Sequence, residues 1–148
     1  ILNLFKKLFP AYGSKSVDVK SVDDQLKYAT CILMLEVSKS DDDFDTQEQK
    51  KIKVLMQDKF NIPEDELERL FELCIEKHNS MTSLYEYTEI INNECSYDQK
   101  LKIIGFMWDV AFEDSKIDKY EDFTIRKVSD LIHVKHRDFI ALKNDRST

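Results

Sequence analysis

Residues 62–78, IPEDELERLFELCIEKH, carry the clearest structural signal in the chain. Pro63 stands at a first-turn position, where a helix does not need a backbone N–H. Three acidic residues follow, at the end of a helix whose dipole favours negative charge. The apolar positions then recur at i, i+3, i+4, i+7, i+8 and i+11, which is one face of a helix. These positions are Leu67, Leu70, Phe71, Cys74, Ile75 and His78.

Helical spacing recurs on both sides of this stretch, and no segment shows a convincing strand period. The chain has only two glycines and two prolines, too few for the frequent turns of an all-β protein. At 148 residues it has the length of one ordinary domain. We therefore predict a single all-α domain over residues 21–143, with about seven helices, an N-terminal segment 1–20 and a tail 144–148. The predicted helices are 22–38, 46–59, 63–78, 81–93, 97–112, 119–133 and 135–143. The apolar face of the sixth is assigned to Phe123, Val128, Leu131 and Ile132.

The charge balance narrows the kinds of partner. The chain has 22 basic and 29 acidic residues, a net charge of −7. This disfavours nucleic acid and anionic membranes, and it favours cations or a protein with a basic surface. The amphipathic residues 1–9, ILNLFKKLF, predict a short helix that folds back on the domain. Peripheral association with a membrane or another protein is the alternative.

The cysteines indicate a reducing compartment. Cys31, Cys74 and Cys95 are odd in number and have no CxxC spacing. We interpret them as reduced residues of a cytosolic protein.

The chain also contains an internal match at an offset of 73 residues. Residues 26–52 and 99–125 share seven identities and several similar pairs, among them Glu36 with Asp109. The identical pairs are Lys27/Lys100, Met34/Met107, Val37/Val110, Asp41/Asp114, Asp45/Asp118, Glu48/Glu121 and Ile52/Ile125. After a gap of one residue, Ile62 and Leu67 pair with Val134 and Phe139. We predict a duplicated helix–acidic loop–helix–helix unit, about 22–79 and 97–143, arranged about a pseudo-two-fold axis.

Helix capping explains part of each acidic loop. Asp45 with Glu48, and Asp118 with Glu121, have the spacing of a capping box. Capping does not explain Asp41 or Asp114, which follow the end of a helix, where a negative charge is unfavourable.

Carboxylates in this pattern are oxygen ligands suited to Ca²⁺ or Mg²⁺. The candidate ligands are Asp41, Asp43, Asp45 and Glu48 in the first loop, and Asp114, Asp118 and Glu121 in the second. The first loop is not an EF-hand, because Thr46 replaces the turn glycine and Ile52 replaces the last glutamate. A solvated acidic turn without metal is the alternative.

Glu36 and Asp109 form a second tier of acidic candidates beside the predicted core. We interpret them as partners in ordinary salt bridges. The alternative is that they belong to the active site of a metal-dependent enzyme. The chain has no HExxH, Gly-rich phosphate loop or Gly-x-Ser-x-Gly motif, so no catalytic residue is assigned.

The two loop sequences, VSKSDDDFDTQE and VAFEDSKIDKYE, resemble the acidic turns of the TerB-like proteins of tellurite resistance. The pattern of those turns, A-x-A-D-G-x-I-D-x-x-E, is matched by Asp41, Phe44, Asp45 and Glu48, and by Ala111, Asp114, Ile117, Asp118 and Glu121. Asp42 and Ser115 stand where the family usually has Gly. The resemblance covers roughly residues 20–143.

The resemblance implies an all-helical fold with a pseudo-two-fold axis and acidic clusters proposed to bind divalent metal. It also implies a bacterial cytoplasmic setting and an association with stress response and membrane-linked complexes. We expect a non-enzymatic binding module that holds a divalent cation or a basic partner. The alternatives are the enzyme with Glu36 and Asp109 in its site, and a metal-free interaction domain.

Overall fold

The structure is a computed structural model that describes residues 4–8, 21–39, 46–76, 83–113 and 119–146. Within these ranges the regular elements are eight helices and no strands, so the predicted all-α class is confirmed. In chain order the helices are α1 (Leu4–Leu8), α2 (Val22–Lys39), α3 (Thr46–Phe60), α4 (Glu64–Glu76), α5 (Ser83–Glu94), α6 (Tyr97–Glu113), α7 (Lys119–Leu131) and α8 (His136–Arg146).

Helices α2 and α6 form the centre of the domain. In α2, residues 25–36 are all buried except Lys27. In α6, Ile104, Met107 and Trp108 are fully buried. Helix α2 packs against α1, α3, α4, α5, α6 and α7, and α6 packs against α2, α3, α7 and α8. A helix surrounded in this way must be apolar on most sides, which explains why both segments read as nearly continuous apolar runs.

Helices α4 and α7 are amphipathic and cover this centre with one face. Helix α4 buries Leu67, Leu70 and Phe71, as the sequence predicts. The side chains of Cys74, Ile75 and His78 lie outside the described residues.

The apolar face predicted for α7 is wrong at one position. Ile125, Val128 and Ile132 are buried, whereas Phe123 is 61% exposed. Successive helical residues are rotated by about 100°, so Phe123 lies on the opposite side from Ile125. Leu131 packs partly against the core.

Short polar contacts define where several helices begin. Ser21 Oγ accepts the backbone N–H of Asp24 at 3.1 Å at the start of α2. At the start of α6, Ser96 Oγ accepts the N–H of Gln99 at 3.2 Å, and Gln99 Oε1 accepts the N–H of Ser96 at 2.9 Å. This is a reciprocal capping box, which fixes the first turn of α6.

Two helices end at a residue with a positive φ angle. Asn61 (φ 56°) follows α3 and His133 (φ 62°) follows α7. The N–H of Asn61 bonds to the carbonyl of Gln57 at 3.0 Å, and the N–H of Val134 bonds to that of Ser129 at 3.0 Å. These bonds are typical of left-handed helix ends. Asn61 and His133 are also paired in the repeat register after its gap. The duplication and its axis stay a prediction, with which these matched helix ends agree.

Helix α1 lies against the rest of the domain. Leu4 and Leu8 are buried, and the helix packs on α2 and α5. Lys7 forms an ion pair with Glu94 at the end of α5. In the part of the chain that the structure describes, no helix is both long enough and apolar enough to span a membrane.

Phe139 is the buried residue of α8, and we predict that it anchors that helix. Its ring centroid lies 5.3 Å from that of Trp108. Phe139→Ala should lower the free energy of unfolding by about 3–5 kcal/mol, because it leaves a cavity beside Trp108. Phe123→Ala, at an exposed position, should change it by no more than about 0.5 kcal/mol. Urea denaturation of both variants measures the difference, and equal losses would contradict this packing.

Candidate functional site

The two acidic turns occupy corresponding places in the fold. Each follows a central helix and precedes an outer one: residues 40–45 join α2 to α3, and residues 114–118 join α6 to α7. The predicted ligands Asp41, Asp43, Asp45, Asp114 and Asp118 lie outside the described residues. Glu48 and Glu121 are the third residues of α3 and α7, and their side chains lie outside the described ones.

The helix bounds define the electrostatic setting of both turns. Helices α2 and α6 end at the turns, so carbonyl oxygens that have no intrahelical partner lie there. Helices α3 and α7 begin there, where the dipole favours carboxylates. The described starts, Thr46 and Lys119, directly follow the predicted N-cap residues Asp45 and Asp118. Each turn therefore combines carbonyl oxygens with several acidic residues in sequence.

The described side chains do not themselves make a metal centre. Among them, no three His, Cys, Asp or Glu residues come together as a metal-binding group. The cation prediction therefore depends on the two turns and stays a prediction.

Of the second-tier candidates, Glu36 is buried within α2 and Asp109 is half-buried on α6. The Asp109 carboxylate accepts a hydrogen bond from Arg146 Nε at 2.8 Å. Arg146 Nη1 also donates to the carbonyl of Leu142 at 3.3 Å. These contacts explain why α8 continues to Arg146, three residues beyond the predicted end at Lys143 and into the predicted tail.

Gly105 makes room for this ion pair. It lies one helical turn before Asp109 on α6, and a Cβ added there would be 2.6 Å from Arg146 Nη2. The guanidinium therefore lies directly over the glycine backbone. A lone glycine within an apolar helical pattern is the sequence signal for such a close approach, and sequence reasoning did not use it.

Lys143 makes a second contact between a basic and an acidic side chain on the helices that flank the second acidic turn. Its ammonium lies 3.1 Å from Asp122 Oδ1 on α7 and 5.2 Å from the centroid of the Trp108 ring. Lys143 and Arg146 therefore neutralise carboxylates on both helices that flank the second turn. In the predicted repeat register, Phe71 and Cys74 stand at the corresponding positions of the first unit. Sequence reasoning missed this difference between the two predicted units.

The structure also contains a cleft of about 140 Å³ between α2 and the start of α4. It is lined by Asp24, Lys27 and Tyr28 of α2, residues 60–63, and Glu66 of α4. Glu36 and Asp109 do not line it, so this cleft gives no support to an enzyme site built on those two residues.

These features define a helical module with an acidic turn after each of two central helices. The family model described as tellurite resistance protein TerB matches residues 27–144. The match covers most of the chain, and the chain belongs to the TerB family. No curated protein and no solved structure matches it.

We predict that Gly105 and Arg146 are energetically coupled. In an Arg146→Ala background, Gly105→Ala should stabilise the protein by about 1 kcal/mol, the helix-propensity difference between the two residues. In the wild-type background the added methyl group displaces the guanidinium from Asp109, so the gain should be smaller or absent. Urea denaturation of all four proteins gives the coupling energy. The same gain in both backgrounds would contradict the close contact.

Cys95 gives a prediction about pH. Burial raises the pKa of its thiol to about 11. Because the folded pKa is raised, this group contributes stability below about pH 9, and that contribution is lost as the pH rises towards 11. Iodoacetamide at pH 8.5 (about the pKa of a free cysteine) should therefore alkylate Cys95 far more slowly in the native protein than in urea. Peptide mass spectrometry measures both rates, and equal rates would contradict the prediction.

Proposed function

We propose that this TerB-family domain is a non-enzymatic binding module. In this proposal the acidic turns 41–48 and 114–121 bind a divalent cation, Ca²⁺ or Mg²⁺, weakly, or dock a partner protein with a basic surface. The observation that carries it is the placement of both turns between the end of a central helix and the start of an outer one.

A bound cation would explain the position of the carboxylates that do not cap a helix. Asp45 and Asp118 directly precede the described starts of α3 and α7, the sequence position from which an aspartate stabilises a helix without a ligand. Asp41 and Asp114 instead follow the ends of α2 and α6, where free carbonyls and the dipole make a negative charge unfavourable. A hard cation that takes both carboxylate and carbonyl oxygens removes that repulsion.

The first turn is the stronger candidate of the two. Near the second turn, Lys143 and Arg146 already pair with Asp122 and Asp109. These built-in cations reduce the negative potential available to an external ion. The corresponding positions of the first unit, Phe71 and Cys74, carry no positive charge.

The cellular setting that we propose is the bacterial cytoplasm, within the stress and tellurite responses with which the family is associated. In this proposal the domain acts by binding, and its output is an assembly that depends on the cation or on the basic partner.

Thermal unfolding of the chelator-stripped protein tests the cation. Millimolar Ca²⁺, Mg²⁺ or Mn²⁺ should raise the unfolding midpoint, because an ion that binds only the native state adds about 2.7 kcal/mol at a hundredfold excess over Kd. Asp41→Asn should lose most of the rise and Asp114→Asn a smaller part, while both keep their helix caps.

Asp58→Asn is the matched control, because it removes one exposed carboxylate from α3 outside the turn. It should keep the full rise. A rise that persists in Asp41→Asn, or one that Asp58→Asn also loses, would contradict a site in the first turn. If no ion raises the unfolding midpoint, the basic partner protein remains as the proposed ligand of these turns.

A further inference from the structure

The cleft between α2 and α4 is the part of the surface that the acidic turns do not explain. Two carboxylates, those of Asp24 and Glu66, belong to its lining. Glu66 accepts a hydrogen bond from the hydroxyl of the buried Tyr28. The Asp24 side chain is half-buried, and within the described residues it has no ion pair. Phe60 also lines the cleft, and its ring packs edge-on against that of Phe106, with 5.6 Å between the ring centroids.

The predicted repeat register gives a comparison for this cleft in the second unit. In the repeat register, Tyr97 corresponds to Asp24 and Asp138 corresponds to Glu66. The Tyr97 hydroxyl donates to Asp138 Oδ2 at 2.5 Å and accepts the backbone N–H of Lys135 at 3.0 Å. In the predicted register, a tyrosine of the protein itself is therefore bonded to the carboxylate at the start of α8.

The first unit differs from the second at two of these positions, and the differences change the chemistry of the cleft. Asp24 stands in place of that tyrosine, and the tyrosine that donates to Glu66 is Tyr28, one turn later on α2. Pro63 stands in place of Lys135, so no backbone N–H is offered there. Of the groups at these three positions, Asp24 and Glu66 accept hydrogen bonds. A ligand for this cleft needs donors, a positive charge and a planar body.

We propose that this cleft binds the guanidinium group of an arginine side chain presented by a partner protein. A guanidinium is planar, always charged, and carries five donors in a fork that matches a carboxylate. It also stacks on aromatic rings such as Phe60. This site is separate from the acidic turns and does not depend on a cation bound there.

The size and charge of the cleft fit one side chain. Its volume of about 140 Å³ is close to the roughly 150 Å³ cavity that holds a benzene molecule, and below the roughly 300–1,000 Å³ of cofactor sites. Lys27 also lines the cleft, but its ammonium is held 5.9 Å from the Phe106 ring centroid. The two carboxylates leave the lining with a net negative charge.

The test is a titration of the ¹⁵N-labelled protein with N-acetyl-arginine N-methylamide in the presence of EDTA, followed by NMR. The neutral isostere N-acetyl-citrulline N-methylamide is the comparison ligand. The backbone signals of Tyr28, Asn61 and Glu66 should shift and saturate with the arginine compound. Binding of the citrulline compound should be about tenfold weaker, because a charge-assisted hydrogen bond is replaced by a neutral one.

Three variants make the test specific. Asp24→Asn removes one of the two negative charges, so it should weaken binding of the arginine compound about tenfold. Asp24→Tyr places a bulky ring at the cleft, so it should abolish saturable shifts. Asp58→Asn and Asp41→Asn, outside the cleft, should leave binding unchanged. Equal binding of both compounds, full-strength binding in either Asp24 variant, or no saturation would overturn the proposal. Loss of binding in Asp41→Asn would also overturn it, by placing the ligand at the acidic turn.

Discussion

Burial of α6 is the constraint on which the rest of this structure depends. Trp108 is fully buried at its centre, between Phe112 of the same helix and Phe139 of α8. Trp108 Nε1 is buried with no hydrogen-bond partner among the described residues. Because α2, α3, α7 and α8 all pack on α6, its other polar side chains lie at its ends or find partners at specific points. Asp109 finds such a partner in Arg146, and Gly105 provides the space for it. The C-terminal helix is therefore held by one buried aromatic ring and by ion pairs to α6 and α7.

Because α6 and α2 are buried, the candidate functional residues lie at the ends of these helices. Central helices buried on most sides leave little room for an internal polar site, so carboxylates collect where α2 and α6 end. The two predicted repeat units differ in their surroundings. In the second, basic residues of α8 pair with acidic residues beside the turn, and the Tyr97 hydroxyl bonds to Asp138. In the first, a cleft is open at the position that the predicted register makes equivalent.

Helix positions could be predicted closely because local periodicity determines them. The predicted segments at 22–38, 46–59 and 97–112 differ from α2, α3 and α6 by one residue at the C-terminal end. The prediction for Phe123 is wrong because the angular position of this residue on α7 puts it in solvent. The extent of α8 could not be predicted, because it depends on Arg146 meeting Asp109, a contact between residues 37 positions apart.

The candidate sites could be predicted from the sequence only in part. The acidic spacing, the capping positions and the family resemblance are readable in sequence, and the family is confirmed. The pairs that Arg146 and Lys143 of α8 make with Asp109 and Asp122, and the cleft beside Asp24, are products of tertiary packing. They leave no local pattern, apart from the lone glycine at position 105.

The most direct test of the central claim is paramagnetic broadening of the ¹⁵N NMR spectrum by substoichiometric Mn²⁺. We expect the signals of residues 40–48 to broaden first and those of 113–121 to broaden at higher Mn²⁺, with excess Mg²⁺ reversing both. Broadening spread evenly over the acidic surface, or centred elsewhere, would contradict a cation site in the acidic turns.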